Sequence, residues 1–286
     1  MKLNEINIRD PFILLECGKY YMYGTRAKYT WGDGDKYNYG FDVYVSDDLE
    51  TWSEPISVFE YYDGFMGIKD YWAPEVHKYN GKFYMFASFH TDKTRGTAIL
   101  VSDTPDGKFV LHSDGFITPN DWYSLDGTFY EENGTPYMVF CHEWTQISNG
   151  SVCAVELSKD LKTTQGEPFL LWQAGDATWK HDHSGNGEYV TDGPFLIKKN
   201  GKLISIWSSF YKGYYCEAIA RSASGSIKGV WSIDEKLVCE NGGGHGMVFT
   251  DKQGNDCFVY HMPNDTPNER PVIEKINLNS WFGNNK

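Results

Sequence analysis

The sequence predicts an all-β fold: a five-bladed β-propeller of four-stranded antiparallel blades around a central pocket, forming a single domain over residues 1–286. Two internal echoes and their spacing predict it. The first has an acid or histidine six to nine positions before a turn glycine, with aromatic and β-prone residues after it. It occurs as Asp10-Pro-Phe to Gly18, Ala-Pro-Glu75 to Gly81, Asp126-Gly-Thr to Gly134, Asp192-Gly-Pro to Gly201 and His245-Gly-Met to Gly254. The turn glycines lie 63, 53, 67 and 53 residues apart, a spacing suited to propeller blades with some long loops. Each copy reads as a hairpin that turns at glycine into an apolar strand.

The second echo follows the first four copies. An apolar strand ends in a Ser/Asp-rich turn at Val43–Trp52, Ile99–Gly107, Ala154–Leu161 and Ile219–Gly225, which supplies the outer half of each blade. Inner strands of a propeller line its axis, so residues at equivalent repeat positions converge there although they are distant in sequence. Asp10, Glu75, Asp126, Asp192 and His245 are therefore expected at one pocket. A single strand-edge acid is most simply a turn hydrogen-bonder. Four acids in register raise one another's pKa, and that condition is characteristic of an active site.

Composition narrows the partners. With 26 basic against 39 acidic residues and a net charge of −13, the chain repels nucleic acid and anionic membranes, which favours a neutral ligand. Strand tyrosines such as Tyr20, Tyr21 and Tyr84 read as packing between blades. Trp72, Trp122, Tyr123, Trp144 and Trp179 fall at strand ends, where flat apolar faces beside acids suit sugar rings. Glu75 and Glu143 are candidate acceptors for sugar hydroxyls. Arg270 is a candidate pocket cation, with a surface salt bridge the plainer reading.

The six cysteines have no C-x-x-C spacing, and most fall in predicted strands, so reduced and buried thiols are expected. The first repeat begins by Asp10 with no signal-like or membrane-spanning stretch ahead of it, giving a cytoplasmic expectation. The pair His181 and His183 lacks a third ligand at metal spacing and reads as a polar loop. Nothing in the sequence sets the oligomeric state.

Arg9-Asp10-Pro-Phe, Trp72-Ala-Pro-Glu75-Val-His, Leu125-Asp126-Gly-Thr-Phe, Thr191-Asp192-Gly-Pro-Phe-Leu and Gly243-Gly-His245-Gly-Met resemble, in order and spacing, the blade motifs of family 43 glycoside hydrolases across essentially the whole chain. The resemblance implies a five-bladed inverting enzyme acting on α-L-arabinofuranosyl or related pentose and furanose linkages of an oligosaccharide, with β-D-xyloside and β-galactofuranoside as alternatives. It implies Asp10 as general base, Asp126 as the carboxylate that tunes and orients the acid, and the Asp192 position as general acid. It implies no required cofactor. The matching histidine, His245, is the expected neighbour of a calcium or sodium ion in the central channel, held mostly through water.

The chain departs from the family pattern at Asp192, where Glu is usual. Aspartate is one methylene shorter, and catalytic positioning is sensitive on the ångström scale. Three readings stay open: Asp192 acts from a backbone placed further inward, Glu188 reaches in from its loop, or the site binds glycan without cleaving it. Of these, Asp192 as the acid is the reading adopted.

Overall fold

The computed structural model describes residues 1–32 and 37–283. Blade 1 contains β1 (Ile8–Glu16), β2 (Lys19–Arg26), β3 (Gly40–Ser46) and β4 (Ile56–Glu60). Blade 2 contains β5 (Lys69–Tyr79), β6 (Lys82–His90), β7 (Arg95–Ser102) and β8 (Val110–Leu111). Blade 3 has β9 (Ser124–Glu132), β10 (Thr135–His142), β11 (Ser151–Leu157) and β12 (Thr164–Gln173), with the short helix α1 (Trp144–Ile147) after β10. Blade 4 has β13 (Asp192–Lys199), β14 (Lys202–Tyr211), β15 (Tyr214–Ser222) and β16 (Trp231–Ile233). Blade 5 has β17 (Gly244–Thr250), β18 (Asp256–Met262) and β19 (Arg270–Lys275).

The fifth sheet has three strands among the described residues, where four were expected of every blade. The N-terminal segment lies along its outer edge instead. Arg270 Nε donates to the Asn4 carbonyl at 3.1 Å, and Asn7 Nδ2 donates to the Pro267 carbonyl at 2.7 Å. The two ends of the chain thereby close the ring. No helix among the described residues is long and apolar enough to cross a membrane.

Four of the five inner hairpins turn as their residues dictate. Cys17-Gly18, Asn80-Gly81, Asn133-Gly134 and Asn200-Gly201 all have positive φ, joining Glu16 to Lys19, Tyr79 to Lys82, Glu132 to Thr135 and Lys199 to Lys202. Two left-handed residues form the type I′ turn whose twist matches that of paired strands. The fifth hairpin uses a longer loop, in which Asp251 accepts hydrogen bonds from the Gln253 and Asn255 amides.

Every inner strand carries the same defect. Asp10, Ala73, Asp126, Gly193 and His245 have φ of 54°, 46°, 56°, 49° and 51°, and at each the ladder slips out of register. Such a bulge bends the strand, re-aims its side chains and leaves a backbone group without a ladder partner. At all five kinks the amide donates to a side chain of the preceding blade. Asp10 donates to His261 Nδ1 (3.2 Å), Ala73 to Thr25 Oγ1 (2.7 Å), Asp126 to Ser88 Oγ (2.9 Å), Gly193 to Asp126 Oδ2 (2.9 Å) and His245 to Ser208 Oγ (2.6 Å).

The kink therefore defines the true repeat position. Asp10, Asp126 and His245 occupy it, whereas blades 2 and 4 place Ala73 and Gly193 there. Glu75 lies two residues beyond its kink, and Asp192 one residue before its own. Apolar side chains fill the spaces between blades, as where fully buried Trp207 packs on Trp172 and Trp179 with ring centroids 6.1 and 5.6 Å away.

Ser208 both accepts from the His245 amide and donates to Glu217 Oε2, so Ser208→Ala orphans the buried amide and leaves Glu217 Oε2 with the Gly246 amide alone. An unsatisfied buried polar group costs about 1–3 kcal/mol. We expect the variant to lose about 1–3 kcal/mol, read as a lower denaturant midpoint at unchanged slope. An unmoved midpoint would show that the kink amides do not depend on the neighbouring blade.

Candidate active site

The kinks open one cavity of about 570 Å³ on the axis, lined by residues of all five blades. Asp10, Asp126, Asp192 and His245 meet in it, as the repeat predicts, and Trp72, Tyr123, Glu143 and Trp144 line its walls. Four other expected residues lie elsewhere. Glu75, displaced from its kink, pairs with His77 Nε2 at 3.0 Å. Trp122 lies flat on His142, 3.9 Å between centroids and 11° from parallel, with its edge against Phe140. Arg270 is committed to the carbonyls of Asn4 and Glu269 at the outer edge of blade 5. Trp179, also read as a mouth residue, is buried between blades and donates to the Asp234 carbonyl at 2.9 Å. Glu188 does not line the cavity, whereas His183 does, its amide bonded to the Glu188 carbonyl at 2.8 Å.

Asp10 is surrounded by donors. His245 Nδ1 and Arg9 Nε each stand 3.2 Å from its Oδ1, and Thr25 Oγ1 donates to its Oδ2 at 2.7 Å. Burial alone would raise this carboxyl, but the His245 and Arg9 charges outweigh burial and hold it well below the usual range. Asp10 is an anion. Burial would lower His245, but Asp10, Asp126 and Asp192 together raise it above its ordinary value. His261 is neutral, its pKa driven down to about 3 by burial and by Arg9. Its Nδ1 accepts the Asp10 amide, and Nε2 faces Asn264 Oδ1 at 3.2 Å.

Asp126 and Asp192 have the opposite character. Burial raises the Asp126 carboxyl to about 7, and the neighbouring Asp192 and Asp10 charges add to it against His245. Burial likewise raises Asp192, which accepts from the Tyr215 hydroxyl at 3.0 Å. The two interact strongly and titrate as a pair, so the proton belongs to both.

Several cavity residues were not legible as site residues. Arg95 NH1 reaches both oxygens of Glu143 at 2.6 and 2.7 Å, while its NH2 stands 3.3 Å from Asp70 Oδ2, to which His90 Nδ1 also bonds at 2.9 Å. The Arg95 guanidinium lies 4.2 Å from the Trp72 ring centroid. One face of Trp72 is thus covered by a cation and its edge by Trp31 at 5.0 Å, so Trp72 supports the wall more than it offers a bare platform. Glu143, anchored by Arg95, stands at the start of α1 and turns the chain so that Trp144 faces the cavity.

Nothing here fits a directly ligated ion. Among the described residues no three His, Cys, Asp or Glu side chains are grouped to hold a metal, and the carboxylates beside His245 are engaged with His245, Thr25 and Gly193. All six cysteines are free; Cys141, Cys153, Cys216 and Cys257 are buried, whereas Cys17 is exposed in a hairpin turn.

An axial cavity in which one buried carboxylate is held ionised and two others retain a shared proton has the equipment of a glycoside hydrolase, which needs a base and an acid at once. The sequence profile described as glycosyl hydrolases family 43 matches residues 4–282, and the chain belongs to that family. Among solved structures it is similar to an endo-arabinase from Bacteroides thetaiotaomicron, with TM-score 0.88 and 39% identity over 97% of this chain and 96% of that one. It also resembles a thermostable family-43 glycoside hydrolase at TM-score 0.81 and 25% identity, covering 97% and 93% of the two chains. Among curated proteins, alpha-L-arabinofuranosidase B of Pyricularia oryzae is 24% identical over 73% of this chain and 48% of that protein. An extracellular exo-alpha-(1->5)-L-arabinofuranosidase of Streptomyces chartreusis is 27% identical over 66% and 62%. The chain thus spans about half to three-fifths of the length of these curated relatives.

Arg95→Ala leaves the largely buried Glu143 without its cation and Asp70 with His90 alone, a loss worth about 3–5 kcal/mol when a buried pair is broken. Arg95→Lys should recover only part of it, because a single ammonium cannot reproduce the fork that spans Glu143 and Asp70. Equal thermal midpoints for Arg95→Lys and wild type would refute the clamp.

Proposed function

We propose that this chain hydrolyses α-L-arabinofuranosyl linkages of oligosaccharides from the chain end, with inversion. Asp10 is the general base, Asp192 the general acid, and Asp126 the carboxylate that keeps the acid protonated. The observation that carries the reading is the split in proton occupancy within one cavity. The His245 and Arg9 charges hold Asp10 ionised, while burial raises both Asp126 and Asp192 and the Asp192 charge raises Asp126 further. The names of the curated relatives and of the 39% identical structure support arabinose as the sugar.

In the proposed reaction Asp10 takes a proton from a water molecule as that water attacks the anomeric carbon. Asp192 delivers its proton to the departing glycosidic oxygen, and the anomeric configuration inverts in one displacement. Asp126 holds the Gly193 amide and so fixes the backbone that carries Asp192. Tyr215 aims the Asp192 carboxyl, and burial holds the tyrosine hydroxyl protonated for that contact.

The direct test is hydrolysis of aryl α-L-arabinofuranoside, β-D-xyloside and β-D-galactofuranoside by wild type and Asp10→Asn. An activated leaving group needs little acid assistance, so the assay reads the base and the sugar. We expect turnover of the arabinoside, its loss by at least about 100-fold in the variant, and initial release of the inverted anomer. Turnover of the xyloside alone would reassign the sugar, and unchanged turnover in Asp10→Asn would reject the base.

The pH profile on an arabino-oligosaccharide tests the acid. Asp10 stays ionised across the weakly acidic range, so the limb to watch is alkaline, where the Asp126–Asp192 pair, raised by burial, loses its proton. Replacing Asp126 by Asn removes a like charge and should lower the pKa of the remaining acid, moving this limb to lower pH. A limb that stays in place or moves upward would contradict the role given to Asp126.

A further inference from the structure

The cavity opens onto an aromatic surface that the reaction above does not use. Trp31 and Tyr37 line the cavity mouth, and Trp31 is 59% exposed. From there the rings continue outward over blade 1. Tyr37 lies 6.2 Å from Tyr39, and Tyr39 lies 6.1 Å from Tyr61. Tyr39, Tyr61 and Tyr62 are 37%, 43% and 46% exposed.

The strip is held in place from below. Tyr61 donates its amide to the Tyr39 carbonyl at 2.8 Å, Asn38 Nδ2 donates to the Tyr71 carbonyl at 2.8 Å, and the Tyr39 ring stands edge-on to Tyr71. Exposed aromatics in one contiguous strip mark a binding surface, unlike apolar residues scattered singly.

We infer that this tyrosine strip is a docking track for the part of the glycan chain that lies beyond the cleaved linkage. The inference rests on the proposed reading that the substrate is a neutral oligosaccharide. Continuity with the cavity chooses the occupant, because Tyr37 belongs to the cavity wall and to the strip at once. Charge agrees with it. Beside the strip Glu60 is paired with Arg26 at 2.6 Å, and the strip itself consists of rings and hydroxyls. Sugar C–H faces pack on aromatic rings, and phenol hydroxyls exchange hydrogen bonds with sugar hydroxyls. A second copy of this chain would bring another net charge of −13 to the same surface, which opposes close approach.

The test is calorimetric titration of the Asp10→Asn protein with α-1,5-linked arabinobiose and arabinohexaose, with and without Tyr39→Ala and Tyr61→Ala together. The hexaose Kd should rise about tenfold in the tyrosine variant while the biose Kd changes by less than about twofold. Tyr61→Ala alone, which truncates only the outer end, should show a smaller shift of the same kind. A thermal midpoint for each variant establishes folding. Equal losses for both sugars, or none for the hexaose, would overturn the track.

Sedimentation settles the competing occupant: self-association that the tyrosine variant abolishes would overturn the track in favour of a second copy. Xylohexaose separates this inference from the reading beneath it. Tyrosine-dependent binding of xylohexaose, with no binding of either arabino-oligosaccharide, would keep the track and discard the arabinose assignment.

Discussion

The structure depends on a backbone amide that no strand can satisfy. Each inner strand must bend to face the axis, and it does so through one left-handed residue whose amide leaves the ladder. An L-residue held there is strained, and a buried amide left without an acceptor adds further cost. The preceding blade supplies the acceptor at all five positions, so each blade is completed by its neighbour. Closure of the ring and construction of the cavity are one event. Thr25 illustrates the economy: its hydroxyl accepts the Ala73 amide of the next blade while donating to Asp10.

From this ring comes the electrostatic division of the cavity. The kinks set Asp10, Asp126 and His245 at the same height, and carboxylates this close cannot all ionise in a buried setting. His245 resolves the conflict unevenly. Its Nδ1 stands 3.2 Å from Asp10 but 3.9 Å from Asp126, and Arg9 adds its charge on the Asp10 side. Asp10 therefore loses its proton, and the Asp126–Asp192 pair retains one. Behind His245, Glu217 is fully buried, and burial raises its carboxyl to about 8 against the lowering effect of Ser208 and His245. It accepts from Ser208 and from the Gly246 amide, supporting the fifth kink without adding a third negative charge near neutral pH.

The blades were legible because their turns are local. Asn-Gly at Asn80, Asn133 and Asn200 specifies a tight hairpin whatever surrounds it, and repetition of that signal gives the architecture. Asp10, Asp126, Asp192 and His245 were legible for the same reason. Glu75 was misplaced because the repeat was read from its acids; the kink lies eight residues before the turn glycine in blades 1 to 4, and in blade 2 that residue is Ala73, which has no chemistry to advertise. The Arg95 network was illegible because its partners are 25 and 48 positions away and belong to no repeat. Trp122 and Trp179 show the remaining difficulty, since a tryptophan at a strand end can as readily fill the space between blades as face the cavity. Only packing decides.

The shortness of Asp192 becomes intelligible at its neighbour. Gly193 is the left-handed residue of its strand, and a Cβ there would stand 2.6 Å from the His245 ring. Only glycine admits so close an approach, and it lets the backbone of blade 4 press against the axis while Asp126 grips its amide. A carboxyl carried by the residue just before that contact starts from a backbone held near the axis and needs less reach. The Tyr215 hydroxyl then fixes its direction from β15, the third strand of the same blade. These contacts favour the reading in which Asp192 itself supplies the proton, and they assign the missing methylene to the backbone rather than to a second acid from the loop that carries Glu188.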